Sequence, residues 1–90
     1  MATMRQTWDK KRVQRLRKGD TAVIEQWLDE MIDIIYTWLY YQVGADAEIA
    51  ADLTGQTFRL AASNLDRFEP EHVSMLQWLR EQGKQARDEG

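Results

Sequence analysis

The chain of 90 residues has no cysteine and only one proline and one histidine. Without cysteine it can form neither disulfides nor thiolate zinc sites, and nothing indicates an oxidising compartment. It also lacks a run of eighteen apolar residues, which a membrane-spanning helix needs, and its basic N-terminus is not followed by the apolar segment of a signal peptide. We therefore expect a cytoplasmic protein without a membrane partner.

Residues for catalysis are equally scarce. The single histidine, His72, lies close to Glu69 and Glu71, as is typical of a solvated helix start. A metal site needs three or four convergent ligands, and a phosphate-binding loop needs several glycines ahead of a helix. Neither pattern occurs, so we expect no enzymatic activity, no bound metal and no cofactor.

The composition favours one small folded domain over residues 1–90. Hydrophobic residues make up 43% of the chain, and four of them are tryptophans. This content distinguishes the chain from disordered sequences, although its length is near the lower end of what a single apolar core stabilises. Residues 1–8 precede the first predicted helix, and we expect them to be flexible.

Charge is distributed unevenly along the chain. Residues 1–20 contain seven lysines or arginines and two aspartates, whereas residues 21–52 contain seven acidic residues and no lysine or arginine. The remaining residues are nearly balanced, and the formal net charge is −3. The asymmetry indicates either faces that meet different partners or simply a solvated surface.

Apolar residues recur at helical spacing, and no stretch alternates as a strand would. The sequence therefore predicts an all-α fold, a compact bundle of about four helices. Aspartates mark helix starts, and glycines follow helix ends. The predicted helices run from about Asp9 to Lys18, from Asp20 or Thr21 to Val43, from Asp46 to Asn64, and from Pro70, in the first turn, to Arg87.

The second predicted helix carries the strongest pattern. One apolar stripe lies within about 60° of a single line at 100° per residue; its members are Ile24, Trp27, Leu28, Met31, Ile35, Trp38 and Leu39. A second row consists of Asp29, Asp33, Tyr36 and Tyr40. This row either covers neighbouring helices with hydrated hydroxyls or forms a docking face for a basic or mixed partner.

The third predicted helix has two different halves. The apolar half is predicted to face the core and consists of Ile49, Leu53, Thr57, Leu60 and Ala61, with Phe58 and Leu65 further round. The opposite half consists of Glu48, Asp52, Gly55, Gln56, Arg59 and Ala62. A mid-helix glycine costs roughly 1 kcal/mol relative to alanine. Gly55 therefore marks either a close approach of another backbone or a neutral substitution.

The fourth predicted helix combines an inward stripe with a mixed polar surface. The stripe consists of Val73, Leu76, Leu79 and Gly83, and the other residues include Trp78, Arg80, Lys84, Gln85 and Arg87. An aromatic ring among cations and amides suits single-stranded nucleic acid, although interspersed acids oppose it. The alternative is that Trp78 is a partly buried cap on the core.

Several segments together resemble a known family. They are "VQRLRKGD", "YYQVG", "DAEIAADLTGQTF", "LDRFEP" and "WLREQGKQARDE". Their order and spacing resemble region 2 of the sigma-70 family of bacterial RNA polymerase sigma factors, in the extracytoplasmic-function group, over about residues 12–89. The most specific marks are Gly19-Asp20, Asp52-Leu53 with Phe58, Arg67-Phe68 before Pro70, and Trp78-Leu79.

The resemblance implies a transcription-initiation module in a helical bundle. The second and third helices would bind the β′ clamp helices of core RNA polymerase, and the fourth helix with its preceding loop would bind the non-template strand of the −10 promoter element. An anti-sigma factor is a further candidate partner. The implied polymerase-binding residues are Asp52, Gly55, Gln56, Arg59, Tyr36 and Tyr40. The implied DNA-binding residues are His72, Ser74, Trp78, Arg80, Lys84, Gln85 and Arg87.

The chain also departs from the family pattern. Gly55-Gln56 stands where the family usually has a Gln-Glu pair, and the loop "EPEHVS" is more acidic than a DNA-binding loop should be. Promoter binding relies on neutralising phosphates, which acids oppose. The alternative is a degenerate sigma-like domain that acts only in protein–protein interaction or self-association.

Overall fold

A computed structural model of the protein describes residues 8–89 and shows an all-α bundle, which confirms the predicted fold class. The elements are α1 (Lys10–Arg17), α2 (Thr21–Gln42), α3 (Ala47–Ser63), a 3₁₀ turn (Leu65–Arg67) and α4 (Met75–Glu89). The helix α3 packs against both α2 and α4, and α1 lies against α2. No helix in residues 8–89 is long and apolar enough to cross a membrane.

Aspartate caps start the first three helices, as predicted. The carboxylate of Asp9 accepts a hydrogen bond from the backbone N–H of Arg12, and Asp20 and Asp46 cap α2 and α3 in the same way. Gly19 and Gly44 follow α1 and α2 with positive φ angles of 81° and 69°, which glycine adopts without strain. The predicted bounds of these three helices are therefore confirmed.

The predicted start of the fourth helix at Pro70 is wrong. Pro70 lies in a separate turn, in which the carbonyl of Glu69 accepts hydrogen bonds from the backbone N–H groups of His72 and Val73. The α4 helix begins only at Met75, where the hydroxyl of Ser74 accepts a hydrogen bond from the N–H of Gln77 at 3.1 Å. The Ser74 hydroxyl can cap a helix by accepting a hydrogen bond, whereas the side chain of Pro70 cannot. The separate turn lies between Pro70 and the start of α4.

The apolar stripe of α2 forms the centre of the core. Trp27, Met31, Ile35 and Leu39 are buried, while Ile24, Leu28 and Trp38 are half-buried around them. The ring of Trp27 meets Phe58 of α3 edge-on, with 5.2 Å between ring centroids, and its Nε1–H points to the sulfur of Met75 at 3.3 Å. A single tryptophan thus contacts both α3 and the start of α4.

The predicted core face of α3 requires one correction. Ile49 is 48% exposed, whereas its neighbour Ala50 is fully buried. Thr54 and Thr57 are also buried, and each hydroxyl donates to a backbone carbonyl four residues earlier at 2.7 Å. Because these hydroxyls are satisfied within the helix, α3 can turn its threonines inward and leave Ile49 outside.

Trp8 was expected in a flexible segment but is buried, with 7% of its surface exposed. Residues 1–7 lie outside the described residues. The guanidinium of Arg12 lies 3.6 Å from the centroid of the Trp8 ring and bonds to Gln26 and Glu30 of α2. This cluster holds the start of α1 on α2.

Gly83 allows α4 to approach α2 closely. A Cβ atom at this position would lie 2.8 Å from Cζ3 of Trp38 and 3.4 Å from the hydroxyl of Thr57. Glycine is therefore required by packing, and its predicted place on the inward stripe is confirmed.

Candidate functional site

The polar face of α3 carries the residues that the resemblance assigns to polymerase. Asp52 and Arg59 are exposed, and Gln56 is half-buried between them. The side-chain amide of Gln56 donates to the carboxylate of Asp52 at 2.7 Å. This bond orients the carboxylate at the surface and leaves its other lone pairs available to a partner.

Asp52 and Gln56 line a groove of about 500 Å³, called here the Asp52 groove. It lies where the N-terminal half of α3 meets the ends of α2 and α4. Arg87 of α4 lines the same groove, and its guanidinium donates to the side-chain carbonyl of Gln42 at 2.6 Å. A residue expected to contact DNA thus lies beside residues expected to contact polymerase. The other lining residues are Val43, Glu48, Ile49 and Leu53.

Gly55 does not mark a close approach of another backbone. The heavy atom nearest to a Cβ built there is Nη1 of Arg59, at 3.5 Å, an ordinary contact. Packing within the described residues therefore does not require glycine at this position.

Tyr36 and Tyr40 of α2 do not line the Asp52 groove. Tyr36 and Tyr40 are half-buried, with 6.1 Å between ring centroids, and Tyr40 meets the ring of Tyr41 edge-on. The residues that line the Asp52 groove do not include them. The structure therefore does not bring Tyr36 and Tyr40 together with Asp52 in one pocket.

Trp78 is not available for base stacking. Its side chain is buried, with 6% of its surface exposed, and packs on Phe68 with 5.0 Å between ring centroids. The alternative, a tryptophan capping the core, therefore describes its position better than the DNA-facing role implied by the resemblance. Phe68 is itself 1% exposed, so the pair anchors the loop before α4 to the core.

The loop over residues 69–74 presents an acidic surface. Glu69, Glu71 and His72 are exposed, and the ring of His72 lies 3.9 Å from the carboxylate of Glu69. Lys10 of α1 lies 3.3 Å from Glu71 and neutralises part of this charge. Ser74 at the end of the loop is already used as the cap of α4.

Arg17 fixes the base of this loop, a role that the sequence pattern did not reveal. Its Nε–H donates to the carbonyl of Leu65 at 2.8 Å, and its Nη2–H donates to the carbonyl of Phe68. Leu65 begins the 3₁₀ turn and Phe68 directly follows it. An arginine in the last turn of a helix looks like a local favourable charge, so only the fold shows its distant partners.

The outer face of α4 supplies a second groove system, centred on Trp38 of α2. Arg80 and Lys84 are exposed and, with Trp38, Gln77 and Glu81, line a depression of about 300 Å³. The guanidinium of Arg80 lies 5.9 Å from the centroid of the Trp38 ring. The sequence placed Trp38 in the core stripe, and only the packing of α4 shows that part of the ring reaches the surface. Gln85 is exposed on the same helix.

Ionisable groups in residues 8–89 do not form a metal site, since no group of three or more potential ligands converges there. At the start of α2 the hydrogen bond from Arg15, above all, lowers the pKa of the Asp20 carboxyl. This pair joins α1 to the start of α2 and is structural. Comparisons of the chain with protein-family models, with curated proteins and with solved structures found no match.

Proposed function

We propose that the chain is a sigma region 2-like module of transcription initiation that binds the β′ clamp helices of RNA polymerase and −10 promoter DNA. The resemblance over residues 12–89 supports this function, and a bundle of four helices is the fold that the resemblance implies. The observation that carries the proposal is the exposed Asp52 carboxylate, held by Gln56 at the edge of a groove.

The Asp52 groove suits a helical partner. Its lining combines apolar side chains, among them Leu53 and the exposed Ile49, with charged and polar ones. Protein interfaces commonly combine an apolar centre with a polar rim, and amphipathic helices bind in such grooves. The exposed Ile49 side chain fits a residue that packs against a partner.

The DNA-binding half of the proposal rests on fewer residues than the resemblance implies. Trp78 is buried and Arg87 lies in the Asp52 groove, so Arg80, Lys84 and Gln85 remain on the outer face of α4. The acidic 69–74 loop repels phosphates. We therefore expect weak binding to the −10 strand that depends strongly on salt concentration.

Calorimetric titration with a purified β′ clamp-helix coiled coil tests the polymerase-binding half. We expect Asp52→Ala to weaken binding about tenfold, as expected for loss of a charged contact in an interface. The matched control is Asp66→Ala, which removes an exposed carboxylate from the 3₁₀ turn and should leave binding unchanged. Absence of binding by the unaltered chain, or equal effects of both variants, would reject the proposal.

A second candidate function is protein interaction alone, favoured by the acidic loop and the burial of Trp78. A salt titration with a labelled single-stranded −10 oligonucleotide separates the two. DNA recognition predicts an affinity that falls steeply as the salt concentration rises. In Arg80→Ala the slope of log affinity against log salt concentration should be smaller by about one. If the oligonucleotide does not bind even at low salt, protein–protein interaction alone is the remaining function.

A further inference from the structure

A further groove, of about 510 Å³, is lined by residues of α2 and by Arg80 of α4. We call it the Trp38 groove. Its floor is apolar and contains Ile34 and Trp38, and Tyr41, at its edge, is 73% exposed. Tyr41 is the most exposed large hydrophobic residue of the described chain. The remaining lining residues are Asp33, Thr37, Gln42 and Arg80.

The walls of the Trp38 groove carry opposite charges. Asp33 stands on the α2 wall and Arg80 on the α4 wall, and both side chains are exposed. None of the ion pairs found in residues 8–89 joins Asp33 or Arg80 to another residue. The groove is therefore an apolar floor between one acid and one base, each able to pair with a partner's charge.

We propose that a second copy of this chain binds in the Trp38 groove and forms a symmetric dimer. In a two-fold interface the same patch meets itself, so any contact from one residue to another occurs twice. A patch with one acid and one base on opposite walls satisfies this requirement, because the Asp33 of each copy can face the Arg80 of the other. The apolar linings of the two grooves, with the two Tyr41 rings, then lie within the interface.

The rigidity of the floor supports the proposal. Trp38 packs against Gly83 so closely that no Cβ atom fits between them. The ring is therefore held in place before any partner binds, which reduces the entropy lost on association. Tyrosine and tryptophan are also the residues most often found as anchors of interfaces.

Charge argues against nucleic acid as the occupant. The α2 wall of the groove contributes Asp33 and no lysine or arginine, and Arg80 is the one cation among the lining residues. One cation opposite one acid gives phosphates little net attraction. A groove of this size gives a small interface, so we expect a dimer that dissociates on dilution. This dimer does not depend on the proposed polymerase binding. A negative result for either proposal therefore does not contradict the other.

Sedimentation of the full chain from micromolar to millimolar concentration tests the dimer. The unaltered chain should shift from monomer to dimer, and Tyr41→Lys should weaken association about tenfold or more, because it removes an anchor from both copies. The control is Ile32→Lys, which changes another exposed apolar residue of α2 outside the groove and should leave association intact. A chain that stays monomeric throughout overturns the proposal.

Charge reversal tests the arrangement of the two copies. Asp33→Arg and Arg80→Asp should each weaken association several-fold, because each creates two like-charge contacts, and the double variant should restore it. Asp29→Arg and Arg67→Asp make the same charge changes outside the groove and serve as controls. Loss without rescue in the double variant rejects the pairing of Asp33 with Arg80.

Nucleic acid binding is the competing outcome. A single-stranded oligonucleotide is added to the chain at a concentration where it is monomeric. Quenching of tryptophan fluorescence that Trp38→Phe abolishes, in a chain that does not dimerise, would assign the groove to nucleic acid and overturn the proposal.

Discussion

Arg12 and Glu30 form a two-pronged ion pair between α1 and α2, with N–O distances of 2.6 and 3.4 Å. The arginine side chain is only 10% exposed and the glutamate 28%. The guanidinium also bonds to Gln26 at 2.9 Å and lies over the ring of Trp8. One guanidinium therefore joins the start of α1 to α2.

Replacing Arg12 by alanine should lower the free energy of unfolding by about 2 kcal/mol, because it leaves a partly buried carboxylate and amide without their donor. Urea denaturation followed by tryptophan fluorescence measures the change. Lys11→Ala removes a neighbouring exposed cation and should have almost no effect. Equal effects of the two substitutions would show that the buried pair does not stabilise the fold.

Replacing Gly83 by alanine should destabilise the protein, although alanine favours helix. The added methyl group meets the Trp38 ring at 2.8 Å, and relieving such a clash costs about 1–3 kcal/mol. This exceeds the roughly 1 kcal/mol gained from helix propensity. The free energy of unfolding in urea should therefore fall.

Gly55 offers the opposite prediction and a matched control. A methyl group there makes only an ordinary contact with Arg59 at 3.5 Å, so Gly55→Ala should raise the free energy of unfolding by about 0.5–1 kcal/mol. The same urea experiment measures it. Stabilisation at both glycines would contradict the close approach of α4 to α2.

Asp20 predicts a dependence of stability on pH. Its folded-state pKa lies below the ordinary value of 3.8, chiefly because Arg15 donates a hydrogen bond to the carboxylate. The group therefore stabilises the fold above about pH 4, and this contribution is lost as pH falls through the folded-state pKa. Asp20→Asn keeps the helix cap but should be less stable than the unaltered chain at neutral pH, with the difference shrinking in acid.

Thermal unfolding from pH 7 to pH 2 measures the Asp20 effect. Arg15→Met should reduce this pH-dependent difference, because it deletes the main donor, while the backbone N–H groups of Ala22 and Val23 still bond to the carboxylate. If Arg15→Met keeps the full pH dependence, another partner must lower the pKa of Asp20.

Arg17 should control the order of the loop that precedes α4. Arg17→Met removes both hydrogen bonds to the carbonyls of Leu65 and Phe68 while keeping an unbranched side chain. Amide hydrogen exchange in residues 65–73 should become faster, since the turn can open locally. Lys18→Met changes an exposed neighbour and should leave the exchange unchanged. Unaltered exchange in Arg17→Met would show that Phe68 alone holds the loop.

Local features made most of the helices predictable. Asp9, Asp20 and Asp46 can act as caps through atoms within three residues of themselves, so the sequence pattern already contains their role. A helical wheel predicted the buried stripe of α2 for a similar reason, because the spacing of apolar residues is a local feature of the sequence. The predicted helix start at Pro70 was wrong because proline and serine are both favourable near helix starts. The burial of Phe68 anchors the preceding chain and favours the start after Ser74.

The surfaces were harder to predict than the helices. Trp78 and Trp38 both belong to helices with mixed faces, and which ring is covered depends on how α4 crosses α2 at Gly83. A helical wheel treats each helix alone and cannot place that crossing. Ile49 shows the same limit, because the buried hydroxyls of Thr54 and Thr57 turn α3 away from the face that hydrophobicity alone selects.

The bonds from Arg17 to Leu65 and Phe68 join residues 48 and 51 positions apart in the chain. Contacts of such long sequence separation form after local ones, because closing a long loop of chain is entropically costly. During synthesis on the ribosome, the side chain of Arg17 therefore meets these partners only after most of the chain has emerged. The loop before α4 therefore adopts its structure late, once Arg17 has bonded to Leu65 and Phe68.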